Sequence, residues 1–454
     1  MTRKVVDEQK LGTRPRGFRK ARYIEPEVAA LERERIWNQH WLLAGLVSDL
    51  QQPGDHFVFD IADEQILITC PKPGEVRAFY NVCQHRGNRL VLNERGNAPR
   101  LRCAYHAWTY QLDGTLETVP HAEEFAEDLH CGERHLRPLP CETWNGFVFI
   151  CLSENPPALM DWLGPLAEQL APYRFEEMTL VQDQTVRLDC NWKAVVDNFA
   201  ELYHVDFLHP QHRRMVDCCN DTVHLFERGH TGLRVNGATI NPRFPVPEEP
   251  TDIHRVQLES LGLDPDEFLG RVLDIRAAVQ ARKREIGAAR GFDYDGFSDE
   301  QLSDVWQYNL FPNAILSFST EHLWILRPRP HRTDPNRCLF DKLSLVRFAD
   351  PEIASDAQAV LGPGRDTLTA SAFRPANYHR PERDAFDHVD VVEGRKDMTD
   401  TINQDVELLS NVQAGMRSAG FSDIVLSHEE LRVQHFHDQW ALDMGRSQPT
   451  KETS

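Results

Sequence analysis

Four residues in the first quarter of the chain have the types and spacing of metal ligands. The runs Asn81-Val82-Cys83-Gln84-His85-Arg86-Gly87 and Cys103-Ala104-Tyr105-His106-Ala107-Trp108-Thr109-Tyr110 each offer one thiol and one imidazole. Cys-x-His followed by Cys-x2-His on two loops could gather a tetrahedral zinc ion, or a [2Fe–2S] cluster with cysteines on one iron and histidines on the other. Spacing alone does not choose between them. The setting favours the cluster: a zinc finger wants a helix carrying its histidines, and here both pairs lie between strand-like runs rich in glycine and aromatics.

A second set lies in the run from Asn191 to Pro210. On a helical period Trp192, Val195, Val196, Phe199 and Leu202 make an apolar face, and Asp197, Glu201 and His204 share the other side at spacings of four and three. His209 would be turned away from His204 by about 140° on a regular helix, so both imidazoles can meet one ion only if the helix loosens or ends, as Pro210 permits. Such a pair fits the 2-His-1-carboxylate set that leaves open positions on Fe(II); the alternative is a surface or capping pair. For the carboxylate, Asp405 falls on the stripe Leu408, Leu409, Val412, Met416 of a helix expected over Thr399 to Ser418. A carboxylate aimed at a core is costly unless paired or bound to a cation. Asp397 and Asp400 compete, with the alternative that all three are solvated helix-start acids.

The elements that must position these residues change along the chain. Glu25 to His40 reads as a helix with Val28, Leu31, Ile36 and Trp37 inward. From Trp41 to Leu152 short apolar runs alternate with turn signals such as Gln52-Pro53-Gly54-Asp55 and Asp113-Gly114, which predicts a small antiparallel β domain ending before Pro156-Pro157. The rest mixes helices with strands such as Ala314 to Ser319 and Leu339 to Phe348, giving an α+β chain. The segments are residues 1–40 (helical), 41–155 (β domain) and 156–454 (mixed α+β, carrying the second residue set). Within the last, 245–306 is a charged, helix-prone stretch, read as a solvated surface insertion, with a lid over a substrate channel as its functional alternative.

Composition narrows the function classes. The 454 residues are 41% hydrophobic and 26% charged, an ordinary globular balance. Lys plus Arg number 50 against 70 Asp plus Glu, a net charge of −20 that repels phosphate backbones and anionic lipid, so neither nucleic acid nor a membrane is an expected partner. The longest apolar runs fall far short of the roughly 20 residues that span a bilayer. The basic stretch over residues 1–22 lacks an apolar segment behind it, so a cytoplasmic protein with reduced thiols is expected, and the 10 Cys are not read as disulfides.

The motif Cys83-x-His85-Arg86-Gly87 with Cys103-x-Tyr105-His106-x-Trp108, joined to Asn191-Trp192-Lys193 and Glu201-x2-His204-x4-His209, resembles the large subunits of the Rieske non-haem iron aromatic-ring-hydroxylating oxygenases. That family often has Pro at the place of Ala104 and Gly at that of Ala107, neither a ligand position. The resemblance implies a Rieske β domain followed by a helix-grip catalytic domain, an antiparallel sheet wrapped over helices. Cys83, His85, Cys103 and His106 would hold the [2Fe–2S] cluster, and His204, His209 and Asp405 a mononuclear Fe(II). Glu201 would join the two sites by hydrogen-bonding His204 and, across a subunit boundary, His106 of the neighbour. It further implies electrons from NAD(P)H delivered indirectly by a reductase, with or without a ferredoxin, O2 as co-substrate, and a homotrimer, with or without a small β subunit. The favoured substrate is aromatic or otherwise largely apolar. Glu in place of the usual Asp at position 201 supports the rival, a quaternary ammonium or methyl-group oxygenase; an electron-transfer protein keeping only the cluster is the reading from another class. Cys218 and Cys219 are read as buried small residues, His379, His388, His435 and His437 as surface, and Phe311, Phe318 and Trp324 as core or pocket wall.

Overall fold

The computed structural model describes residues 4–5, 17–125, 134–214, 216–218, 220–348 and 378–445. The described residues form two compact units, the smaller drawn from 30–167 and 174–176, the larger from those before 30, from 168–173 and from those after 176.

Every strand pairing in the smaller unit is antiparallel. Its five-stranded sheet runs Pro138–Leu139, Arg77–Tyr80, Glu64–Thr69, Asp55–Ile61, Arg95–Asn97, and a three-stranded sheet runs Cys141–Trp144, Phe147–Ile150, Leu42–Leu46. Ile66, Leu67 and Ile68 are fully buried in succession, which demands cover on both faces. Gly45 makes one such cover possible, since a Cβ there would stand 2.6 Å from Phe57 Cζ. A third, small sheet of Leu116–Thr118, Thr109–Tyr110 and Leu101–Arg102 carries the second Cys/His loop. The expected helix before this unit begins at Pro26–Glu32 but widens to a π-turn over Arg33–Trp37. The wider turn shifts the buried side, so that Leu31 is 38% exposed while Glu32, Ile36 and Trp37 are covered.

The larger unit is built on a nine-stranded sheet in the order Lys4–Val5, Thr222–Leu225, Thr231–Val235, Val305–Leu310, Ala314–Phe318, His322–Pro330, Cys338–Val346, Thr179–Leu188, Asp384–Asp387, antiparallel except at its two edges. The apolar ends of one face, Val223, Leu225, Leu233, Val235 and Val305, pack with Leu202, Val205 and Leu431, so this face looks toward the segment that carries His204. Register then places Val223, Leu233, Gln307, Ser317, Trp324, Ser344 and Gln182 in one cross-strand row on that face. The row passes from aliphatic to polar with a single aromatic.

Helices Trp192–Asn198, Asp400–Arg417 and Leu431–Gly445 belong to the same unit. Asn191 explains why the first starts where it does: its side chain caps Lys193 N at 3.0 Å and donates to the carbonyls of Tyr23 (3.0 Å) and Pro335 (2.7 Å). Its own N–H donates to Gln413 Oε1 at 3.0 Å, which ties this helix to the 400–417 helix.

The 245–306 stretch is helical, with Asp252–Ser260, Ile275–Gly287 and Asp299–Ser303. It is not a solvated appendage. Leu258, Leu261, Phe268, Val272, Ile275 and Val279 form a core with Ala238 and Ile240, and Lys283 Nζ meets Glu321 Oε1 at 2.8 Å with both side chains nearly covered. Charged residues hide this core in the sequence because its apolar side chains come singly and widely spaced. Among the described residues no helix is long and apolar enough to cross a membrane.

Candidate functional site

The helical period read from Asn191 onward does not make one continuous helix. The helix ends at Asn198, and one short turn, Val205–Leu208, follows after a break. The break would orphan the N–H of His204, and Glu201 supplies the acceptor: its Oε2 takes that N–H at 3.1 Å while its Oε1 takes His204 Nδ1. One carboxylate thus caps the second turn and fixes the ring. The turn ends at His209, whose ψ of 75 leaves the helix before Pro210. The short turn is held by Asp206, which accepts from Asn241 Nδ2 (2.9 Å) and Arg243 Nη1 (2.6 Å).

This broken path brings His204, His209 and Asp405 together, with one donor atom of each lying within 4.8 Å of the others. His204 Nε2 is 3.8 Å and His209 Nε2 3.3 Å from Asp405 Oδ1. Asp405 is fully buried, yet neither of its carboxylate oxygens has a hydrogen-bond partner among the described residues. An unpartnered buried carboxylate is expensive, and two imidazole nitrogens facing it make the donor set of a divalent metal with open positions. Asp397 is occupied otherwise, accepting from Thr399 N (2.9 Å) and Asn403 Nδ2 (2.7 Å). The buried stripe of the 400–417 helix is Ile402, Asp405, Val406, Leu409, Gln413 and Met416, whereas Leu408 and Val412 are each 36% exposed. Burial alone would lower the pKa of His204, but the hydrogen bond and charge of Glu201, with the charge of Asp405, outweigh it and hold it above the usual value.

Sequence reasoning missed the residues behind His209. Its Nδ1 donates to Gln404 Oε1 at 2.6 Å, and Gln404 and Gln211 pair reciprocally, Gln211 Nε2 to Gln404 Oε1 at 3.0 Å and Gln404 Nε2 to Gln211 Oε1 at 3.4 Å. Gln211 Nε2 also reaches Thr401 Oγ1 (3.3 Å), which lies 2.7 Å from His212 Nε2. A His209 ring that donates from Nδ1 presents a bare Nε2 to Asp405, the tautomer a metal requires. Burial, with His209 close by, lowers His212 to about 4 and keeps it neutral. The signal was adjacency: Gln404 immediately precedes Asp405, and His212 follows His209 by three.

Glu201 and His204 line a cleft of about 950 Å³ together with Tyr23, Asp197, Leu408 and Val412, which accounts for the exposure of the last two. Asp197 does not join His204. It accepts from Tyr23 Oη and meets His437 Nε2 at 3.1 Å. His437 is 1% and His435 8% exposed, which corrects the surface assignment of both; their partners lie far away in sequence. Cys218 is buried as expected, and Cys219 lies outside the described residues. Phe311 and Phe318 are core, while Trp324 is half-buried with Lys342 Nζ 4.9 Å from its ring centre.

In the smaller unit the two Cys/His loops share one hydrogen-bond plan. Cys83 N donates to Asn88 O (2.8 Å) and Gly87 N to Cys83 O (3.0 Å); Cys103 N donates to Trp108 O (2.9 Å) and Ala107 N to Cys103 O (3.0 Å). Each loop therefore needs a left-handed residue at its fourth step, and Gly87 (φ +73) and Ala107 (φ +60) supply it. The Ala107 departure noted in the sequence thus carries a backbone cost that a ligand count overlooks. The His85 and His106 rings stand 4.6 Å apart, His85 stacks on Trp108 at 4.8 Å, and His85 Nδ1 is buried without a partner among the described residues. Tyr110, fully buried, places its hydroxyl 3.4 Å from Cys83 Sγ and accepts from Gln84 N at 3.0 Å. Burial pushes the Cys83 thiol up. At Cys103 burial acts the same way, but the backbone N–H groups of Tyr105 and His106 outweigh it and bring the thiol below its usual value. Two thiols and two imidazoles in paired loops, with an orphaned ring nitrogen, suit an iron–sulfur cluster.

A β unit of this kind joined to a helix-and-sheet unit with a two-histidine, one-carboxylate set defines a class, and the comparisons agree. Residues 40–138 match the Rieske [2Fe-2S] domain, and residues 175–445 match the ring hydroxylating alpha subunit (catalytic domain), so the chain belongs to that alpha-subunit family. Its cofactors are the Rieske [2Fe–2S] cluster and a mononuclear iron. Among curated relatives, the glycine betaine monooxygenase oxygenase subunit of Pseudomonas aeruginosa is 35% identical over 42% of this chain and 44% of its own length. The carnitine monooxygenase oxygenase subunit of Acinetobacter pittii is 36% identical over 42% of this chain and 52% of its own. The chain thus spans about half the length of the curated relatives it matches. A solved quaternary ammonium Rieske monooxygenase bound to L-carnitine superposes with TM-score 0.64 at 20% identity, covering 94% of this chain and 96% of that one. Naphthalene 1,2-dioxygenase superposes with TM-score 0.65 at 18% identity, covering 97% and 95%. At such identities the two structures share the fold.

Proposed function

We propose that the chain is the oxygenase component of a Rieske-type system that hydroxylates a quaternary ammonium compound. The carrying observation is the buried trio His204, His209 and Asp405, whose carboxylate has no partner in the protein. In this reading His204, His209 and Asp405 hold the iron, and Cys83, His85, Cys103 and His106 hold the cluster. The metal centres supply electron storage and O2 activation. The balance is R–H + O2 + NAD(P)H + H+ → R–OH + H2O + NAD(P)+, with the reductant acting through a separate reductase or ferredoxin. When R–H is an N-methyl group, the carbinol product releases formaldehyde and the demethylated amine.

The expected aromatic or largely apolar substrate gives way to the rival reading for two reasons. The curated relatives named above act on glycine betaine and carnitine, and the sheet face toward the His204 segment presents Gln307, Ser317, Ser344 and Gln182 around one tryptophan. Lys342 Nζ already stands 4.9 Å from the Trp324 ring centre and bonds Gln182, so this row is a polar, charged wall that suits a polar substrate better than a hydrocarbon.

Glu201 fixes the His204 tautomer and lines the open cleft, where His106 of a second copy of the chain would complete an electron bridge in a cyclic oligomer, most simply a trimer. The test is reconstitution with a reductase and a screen of quaternary ammonium and aromatic compounds, scored by O2 uptake matched to product mass. Glu201→Gln keeps both metal centres and loses coupled uptake. Normal turnover by that variant removes the bridge, and product from aromatics alone removes the substrate class.

A further inference from the structure

We propose that His212 orients the substrate, its Nδ1–H donating to a carboxylate oxygen. The inference rests on the quaternary ammonium reading and narrows it to compounds that also carry an acid group.

The argument follows the direction of one hydrogen-bond chain. A His209 whose Nε2 faces a metal carries its proton on Nδ1, and that proton goes to Gln404 Oε1 at 2.6 Å. This sets the Gln404 amide, whose Nε2 then donates to Gln211 Oε1 at 3.4 Å. The Gln211 amide is set in turn, and its Nε2 donates to Gln404 Oε1 (3.0 Å) and to Thr401 Oγ1 (3.3 Å). The Thr401 oxygen accepts from Gln211, and His212 Nε2 at 2.7 Å is the acceptor within reach of its hydroxyl proton among the described residues, the direction in which both groups are satisfied. A neutral imidazole that accepts at Nε2 is protonated at Nδ1.

That Nδ1–H is buried and has no partner among the described residues. A buried donor left unmade carries its full desolvation cost, so the position calls for an occupant with an acceptor atom. Its place says which kind. The His212 ring lies 6.1 Å from the His209 ring, and Thr401, which orients it, stands one helical turn before Asp405. The donor is therefore beside the proposed metal ligands, where a bound Fe(II) would balance the carboxylates of Asp405 and Glu201 and leave no net charge to repel an anion. A carboxylate oxygen accepts more strongly than a neutral one.

The test uses the full chain with both metal centres and a reductase. Glycine betaine, carnitine and choline serve as probes, choline bearing a hydroxyl in place of the acid. KM and kcat come from O2 uptake matched to product, and binding is read independently from the change each probe makes in the EPR signal of the ferrous–nitrosyl form. His212→Phe is expected to raise KM and the binding constant for the two acids by about 10- to 100-fold and to leave choline within about 2-fold. His212→Gln, which keeps an N–H donor, recovers part of the loss. An equal change for all three probes, or none, overturns the inference and leaves a water on Nδ1. Wild-type protein that binds and converts none of the three overturns the quaternary ammonium reading, and this inference with it.

Discussion

Tyr110 offers a direct test of the cluster site. Its ring is fully buried and its single hydroxyl proton has Cys83 Sγ at 3.4 Å as target, because the hydroxyl oxygen already accepts Gln84 N–H at 3.0 Å. Reduction adds one negative charge to the cluster, and a hydrogen bond into a ligating sulfur stabilises the reduced form more than the oxidised one. The difference between a bond to a neutral and to a charged acceptor is about 1 kcal/mol, which for a one-electron couple is about 40 mV. Tyr110→Phe removes only that oxygen, so the midpoint potential falls by about 40 mV. Leaving the Gln84 N–H buried without its acceptor also costs about 1–3 kcal/mol of stability. The assay is a reductive titration followed by the EPR signal of the reduced cluster, on protein whose visible spectrum shows the cluster intact. A midpoint that moves by less than about 10 mV would mean the proton does not rest on sulfur, and the argument fails.

Other outcomes follow from the same geometry. Gln404→Leu frees the His209 tautomer and should weaken Fe(II) binding by about 10- to 100-fold, measured by competition with a chelator, with the cluster unaffected. Ala107→Gly removes a Cβ from a left-handed position and should stabilise the β unit by about 1 kcal/mol in thermal or denaturant unfolding; no gain would show that the φ of +60 carries no strain. Acid should destabilise the metal-free fold in a defined window. His212 at about 4 and His322 at about 3 stay neutral when folded, whereas the unfolded chain takes up those protons near pH 6.5. Stability therefore falls as pH drops from about 7 toward 4, and His322→Gln should flatten that fall in Tm against pH.

The motifs proposed to bear the ligands were legible because their geometry is local: Cys-x-His and Cys-x2-His need only two turns, and Glu201-x2-His204 needs only a carboxylate within reach of the next imidazole. Asp405 was legible through the cost of burying a carboxylate, although two of the four residues taken as its stripe, Leu408 and Val412, border the cleft. The helix break before His204 was not, since it depends on Glu201 accepting a backbone N–H that an unbroken helix would have satisfied. The same holds where a partner lies far along the chain, as for His437 with Asp197 and Lys283 with Glu321. Polarity marks these residues as solvated until the fold delivers the opposite charge.

The two metal centres differ in how much chain each needs. Cys83 through His106 form a contiguous stretch whose paired loops close on themselves. His209 and Gln404 stand 195 residues apart, and Asp405 follows directly. On the proposed assignment all four cluster ligands come from the one stretch between Cys83 and His106, whereas the iron site would draw its carboxylate from the 400–417 helix, so a growing polypeptide would hold the first ligand set long before the second. That assignment implies an order of maturation in which the electron store can be assembled before the site that spends its charge on oxygen.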